Sequence, residues 1–114
     1  PFINTSGETQ CQSLKLEKQT LDLVKEGMKG ACSPGGTAYP FFNFSPPVGC
    51  KTGTAEYGDP QDKTHAWLTA FAPDEIDTEA QMVVTVLVEG GGEGSAVAAP
   101  IAKKVMEAFF HGGQ

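Results

Sequence analysis

Lys51-Thr52-Gly53-Thr54 places a primary amine, two hydroxyls and a residue without a side chain in four consecutive positions. A lysine ammonium can hold an anion or draw a proton from a hydroxyl, and threonine hydroxyls can donate to a carboxylate. Gly53 leaves room for another molecule to lie against the backbone N–H and C=O groups of a strand edge. The flanks, Val48-Gly49-Cys50 before and Ala55-Glu56-Tyr57 after, read as one extended run. Alternation in that run turns Cys50 to the face opposite Lys51. Taken alone, a strand lysine is most often a solvated edge residue, so the context decides.

Lys-Thr-Gly is also the third part of a signature whose other parts are Ser-x-x-Lys and Ser-x-Asn, found in penicillin-recognising serine enzymes. Around it stand Val24-Lys25-Glu26-Gly27-Met28, Gly36-Thr37-Ala38, Gly49 to Glu56, His65-Ala66-Trp67 with Phe71-Ala72-Pro73, and Ala98 to Lys104. In order and spacing, from about residue 20 to residue 110, these resemble the C-terminal part of the transpeptidase domain of class B penicillin-binding proteins. The resemblance implies a serine-type D,D-transpeptidase that cross-links peptidoglycan stem peptides and is acylated by β-lactams. It implies Lys51 and Thr54 as catalytic residues and Thr52, Gly53 and Thr54 as substrate-binding residues. It implies no metal or organic cofactor, and a location on the extracytoplasmic face of a bacterial membrane, anchored by an N-terminal segment.

The other signature parts do not occur in this sequence. Three residues after Ser6, Ser13, Ser33, Ser45 and Ser95 stand Thr9, Leu16, Gly36, Val48 and Ala98, so none forms Ser-x-x-Lys. Two residues after them stand Glu8, Lys15, Gly35, Pro47 and Val97, so none forms Ser-x-Asn. The resemblance therefore implies a partner, an upstream half of the same domain carrying the nucleophile, and a chain inactive by itself. A β-lactamase or β-lactam-sensing domain also carries Lys-Thr-Gly, but Phe71-Ala72-Pro73 and Ala98-Ala99-Pro100-Ile101 argue against those. A non-catalytic interaction module of the same fold is the alternative from another class.

Composition narrows the classes. With 114 residues the chain forms one domain or a piece of one, and 39% hydrophobic residues suit a modest core. The net charge of −6, with every basic residue a lysine, speaks against a nucleic-acid partner. The longest apolar run, Met82 to Val88, is far short of the roughly 20 residues of a membrane span. Cys11, Cys32 and Cys50 match no zinc spacing, and their odd number leaves at least one thiol unpaired. For Cys50 the favoured reading is a small buried hydrophobe. A Cys32–Cys50 disulfide is open to an extracytoplasmic protein but nothing in the sequence indicates it.

The elements that must position the tetrapeptide follow from periodicity. Residues 1–19 read as an irregular lead-in, followed by a helix over about 20–30 with Thr20 as N-cap and Leu21, Val24 and Met28 on one face. Residues 33–47 are a loop rich in proline and aromatic residues. Strands are expected over about 48–56, 64–72 and 81–89, with a polar turn at 58–62, joined as an antiparallel meander. Met82 to Val88 is apolar on both faces, which predicts a central strand covered on both sides. A last helix spans about 95–110, with Ile101, Val105 and Phe109 at helical spacing and Pro100 tolerable only in its first turn. The fold class is α+β, an antiparallel sheet flanked by N- and C-terminal helices. So few helices for such a sheet point to an incomplete piece of the penicillin-binding transpeptidase and serine β-lactamase fold.

Other clusters read as structure. Gly90 to Ser95 lies where a phosphate loop would lie, but it lacks the glycine and lysine spacing and carries Glu89 and Glu93, so it reads as a flexible connection. His65 reads as a packed or hydrogen-bonded residue beside the first strand rather than a metal ligand. Asp74, Glu75, Asp77 and Glu79 read as a solvated turn, and Glu56 as a strand-end surface carboxylate.

Overall fold

Period-two alternation over 64–72 and 82–88 builds the centre of this protein, whose structure is a computed structural model describing Gly7 and residues 9–112. Of the expected lead-in, residues 1–6 and 8 lie outside the described residues, and 9–17 form no regular element. The strands β1 (Gly49–Glu56), β2 (Thr64–Ala72) and β3 (Met82–Val88) pair antiparallel in the order β1-β2-β3. Helix α1 (Lys18–Ala31) precedes them and helix α2 (Ala99–His111) follows, entered through a π-helical turn at Gly94–Ala98. The α+β meander expected from the sequence is the observed architecture.

The register sorts the sheet into two unlike faces. Cys50, Thr52 and Thr54 share a face with Ala66, Leu68, Ala70 and Ala72 and with Met82, Val84, Val86 and Val88. This face carries the core: the even-numbered β2 residues from Ala66 to Ala72 are fully buried, together with Ala98, Ala102 and Met106 of the C-terminal segment. Phe41, in a single 3₁₀ turn at Tyr39–Phe41, closes one end of that core. On the other face Trp67, Val83 and Leu87 stay exposed, Val83 at 66%, around a Thr69–Thr85 hydroxyl pair at 3.0 Å.

Several expectations are corrected here. Among the described residues β3 is an edge strand covered on one face only; the central strand is β2. Helix α2 does not pack through Ile101, Val105 and Phe109, which are 44%, 40% and 53% exposed. It packs through Ala99, Ala102 and Met106, because small side chains let the helix axis approach the sheet closely. Pro100 sits in the first turn of α2, directly after the π-helical turn. Thr20 does not cap α1. The N-cap is Glu17, whose carbonyl accepts from the Leu21 N–H at 3.1 Å, and a Lys18–Asp22 pair at 2.7 Å braces that turn.

Two further readings change in three dimensions. Cys50 is not a free thiol but forms a disulfide with Cys32, at the C-cap of α1. Asp74 is not part of a solvated turn. It is 4% exposed, its N–H donates to the Pro47 carbonyl at 2.8 Å, and its Oδ2 is buried without a hydrogen-bond partner among the described residues. Burial pushes the Asp74 carboxyl up, against the opposing fields of Lys25 and Lys29.

Candidate active site

Which backbone groups of β1 are free follows from the hydrogen bonds of β2. The Ala72 carbonyl accepts from Gln81 N–H at 2.8 Å and the Thr64 carbonyl from Gly92 N–H at 3.1 Å, so even-numbered β2 residues face β3. By the alternation of an antiparallel ladder, odd-numbered β2 residues face β1. Their partners are Gly49, Lys51, Gly53 and Ala55. Cys50, Thr52, Thr54 and Glu56 therefore turn their N–H and C=O groups to the outer edge of β1, where no described strand pairs with them.

The side chains complete this edge. Lys51 is exposed and reaches around it, its Nζ donating to the Thr52 carbonyl at 2.6 Å. The Thr52 hydroxyl shares a hydrogen bond of 3.0 Å with the Thr37 hydroxyl. Thr54 is exposed, one ladder position further along the same edge. An ammonium, two hydroxyls and the outward N–H of Thr54 thus lie along one strand edge, with Lys51 coming round to it from the face opposite Thr52 and Thr54. Such a set can bind a carboxylate and stabilise an oxyanion. Glu56 and Tyr57 prolong the edge and are exposed.

Gly53 has a structural reason the sequence did not reveal. A Cβ there would lie 3.2 Å from Trp67 Cβ across the ladder. Gly94 answers from the core side: a Cβ on it would lie 2.6 Å from Gly53 O and 2.9 Å from Gly53 N, and would strike the Trp67 carbonyl. The Gly90 to Ser95 segment is therefore not a loose connection throughout; its buried end wedges beneath the tetrapeptide. Only the packing of the π-helical turn against β1 and β2 reveals that neighbour, since Gly94 lies about forty residues away in sequence.

The two histidines take structural places. His65 Nδ1 accepts from the Gly90 N–H at 3.0 Å, and its ring stacks on Tyr57 at 3.9 Å. His111 donates from Nε2 to the Ser45 carbonyl at 2.7 Å and stacks on Phe44. A cavity of about 390 Å³ beside α1 is lined by Asp22, Lys25, Lys29, Asp74 and neighbours, and none of Lys51 to Thr54 lines it. No helix among the described residues is long and apolar enough to cross a membrane.

An antiparallel sheet with a helix packed on one face and a lysine-threonine-glycine edge strand defines part of a penicillin-recognising domain. Residues 2–107 match the family described as the penicillin binding protein transpeptidase domain, and the chain belongs to that family. It is 44% identical over 72 residues to the peptidoglycan D,D-transpeptidase PbpA of Mycobacterium tuberculosis, covering 57% of this chain and 14% of the relative. It is 29% identical over 103 residues to the peptidoglycan D,D-transpeptidase MrdA of Salmonella typhimurium, covering 77% of this chain and 16% of the relative. Among solved structures, a peptidoglycan synthase complex superposes with a TM-score of 0.68 at 37% identity, over 76% of this chain and 15% of that one. A ceftriaxone acyl-enzyme complex of penicillin-binding protein A from M. tuberculosis superposes at 0.60 with 33% identity, over 81% of this chain and 21% of that one. The chain thus spans about one seventh of the length of the curated relatives it matches.

Proposed function

We propose that this chain is the C-terminal wall of the active site of a peptidoglycan D,D-transpeptidase, completed by an upstream half of the same domain. The observation that carries this reading is the free outer edge of β1, where the Thr54 N–H points outward beside Lys51 and Thr52. The acyl donor, a stem peptide ending in D-Ala-D-Ala, adds to that edge as an extra strand, and backbone pairing sets its register. Thr52 and Thr54 hydroxyls donate to its terminal carboxylate. A β-lactam occupies the same place through its own carboxylate.

A serine hydroxyl from the upstream half attacks the penultimate carbonyl, passing its proton to a lysine base of that half. As the carbonyl becomes an oxyanion, the Thr54 N–H and the N–H of the attacking serine hold it. Collapse expels the terminal D-alanine with its electron pair and a proton, leaving an acyl-enzyme that an amine of a second stem peptide then takes over. The removal of one oxyanion donor typically raises such a barrier by about 3 kcal/mol. Lys51 adds positive field to the reacting hydroxyls, and leaves the Thr52 carbonyl when substrate pairs there. The Cys32–Cys50 disulfide supports an extracytoplasmic location, where such bonds persist.

The test is acylation by a labelled penicillin in a protein that joins this segment to the rest of the transpeptidase domain. Lys51→Ala is expected to abolish acylation while the melting temperature stays within a degree or two, since an exposed lysine contributes little to stability. Acylation at the unsubstituted rate in a folded Lys51→Ala protein returns Lys51 to a solvated edge residue and refutes the reading.

A further inference from the structure

The hydroxyl of Thr37 lies 3.0 Å from that of Thr52, and the segment that carries Thr37 is tied down at both ends. At one end Gly36 presses on the last turn of α1, where a Cβ would lie 2.5 Å from the Ala31 carbonyl oxygen. The Ala38 N–H donates to that same carbonyl at 2.9 Å, and Ala38 is fully buried. At the other end the Cys32–Cys50 disulfide fastens the segment to β1. Cys50 and Thr52 share a strand face, so the segment grips β1 at two successive positions on that face, once covalently and once through a hydroxyl.

A hydroxyl has one proton and two lone pairs. If Thr52 spends its proton on a substrate carboxylate, its bond with Thr37 must run the other way, from the Thr37 proton to the Thr52 oxygen. Thr37 then occupies the inward lone pair of Thr52, turns the Thr52 proton outward, and polarises the outer bond through the hydroxyl chain. We propose that Thr37 is a positioning residue that aims the Thr52 hydroxyl at the carboxylate of the acyl donor. This rests on the active-site reading above and adds the device that orients one of its donors.

The test follows acylation against penicillin concentration in the complete transpeptidase domain for Thr37→Val, Thr37→Ser, Thr52→Val and the Thr37→Val/Thr52→Val double variant. Thr37→Val is expected to raise the half-saturating concentration roughly three- to tenfold with the limiting rate little changed, the size of one net hydrogen bond. Thr37→Ser restores the hydroxyl and the affinity, and the double variant is no worse than Thr52→Val alone. Three results overturn the proposal: Thr37→Val acylating normally while Thr52→Val is impaired, equal losses in Thr37→Val and Thr37→Ser, or losses that add in the double variant. Thr52→Val acylating normally overturns instead the active-site reading beneath it. Melting curves separate these outcomes from misfolding, and Thr37→Ser carries the test if Thr37→Val does not fold.

Discussion

Cys32 and Cys50 are joined by a disulfide across a sequence separation of 18 residues, with Cα atoms 5.8 Å apart, one residue before Lys51. The bond ties the end of α1 to the start of the strand that carries the candidate site. No residue of α1 is buried, so the helix has little apolar packing of its own to hold it there.

Replacing both cysteines by alanine is therefore expected to cost about 3 kcal/mol of folding stability, the usual effect of closing a loop of this length. Denaturant unfolding of the parent and variant proteins measures it. Thiol titration of the unreduced, unfolded chain should find Cys11 alone, which is free and exposed. Three titratable thiols would contradict the pairing.

The isolated chain is expected to form no covalent adduct with a labelled penicillin, because no serine in it begins Ser-x-x-Lys. Intact mass after prolonged incubation decides this. An adduct on Ser6, Ser13, Ser33, Ser45 or Ser95 would place a nucleophile within the chain and overturn the division of the site between two halves.

Asp74 supplies a pH dependence. Its carboxyl is raised by burial above an ordinary value of 3.8, so the folded chain holds the proton more tightly than the unfolded chain does. Its contribution is fully favourable below the ordinary value and is lost as pH rises through the raised one. Asp74→Asn should accordingly melt higher than the parent near pH 7, with the gap closing toward pH 4. A gap that is constant across that range would mean Asp74 does not titrate differently on folding.

Among the exposed apolar side chains are Trp67, Val83 and Leu87 on the sheet, and Ile101, Val105 and Phe109 on α2. Open patches of this kind normally mark interfaces, and no described strand pairs with the outer edge of β3. The isolated chain is expected to self-associate at micromolar concentration and to bind a dye that reports apolar surface. Val83→Lys should shift sedimentation toward the monomer. A dye-silent monomer before any substitution would show that these faces need no cover.

Local residue patterns were enough to place the elements, because strand and helix periods are written in neighbouring residues. The strand limits at Thr64 and Ala72 match the alternation, and Lys51-Thr52-Gly53-Thr54 could be singled out as a candidate from residue chemistry and its flanking motifs. Sequence failed where the answer depended on what lies across a gap. Hydropathy favours Ile101, Val105 and Phe109 over Ala102 and Met106, but the close approach of helix to sheet favours the small side chains. A cysteine looks the same before and after a partner comes within bonding distance, so Cys50 could not be paired from its neighbours. Asp74 resembles any turn carboxylate until the chain folds over it. The partners of Thr52 and Gly53, namely Thr37, Trp67 and Gly94, come from three separate segments. Only the tertiary structure brings them together, because strand register and helix packing are set by the burial of the sheet as a whole, not by any local run of residues.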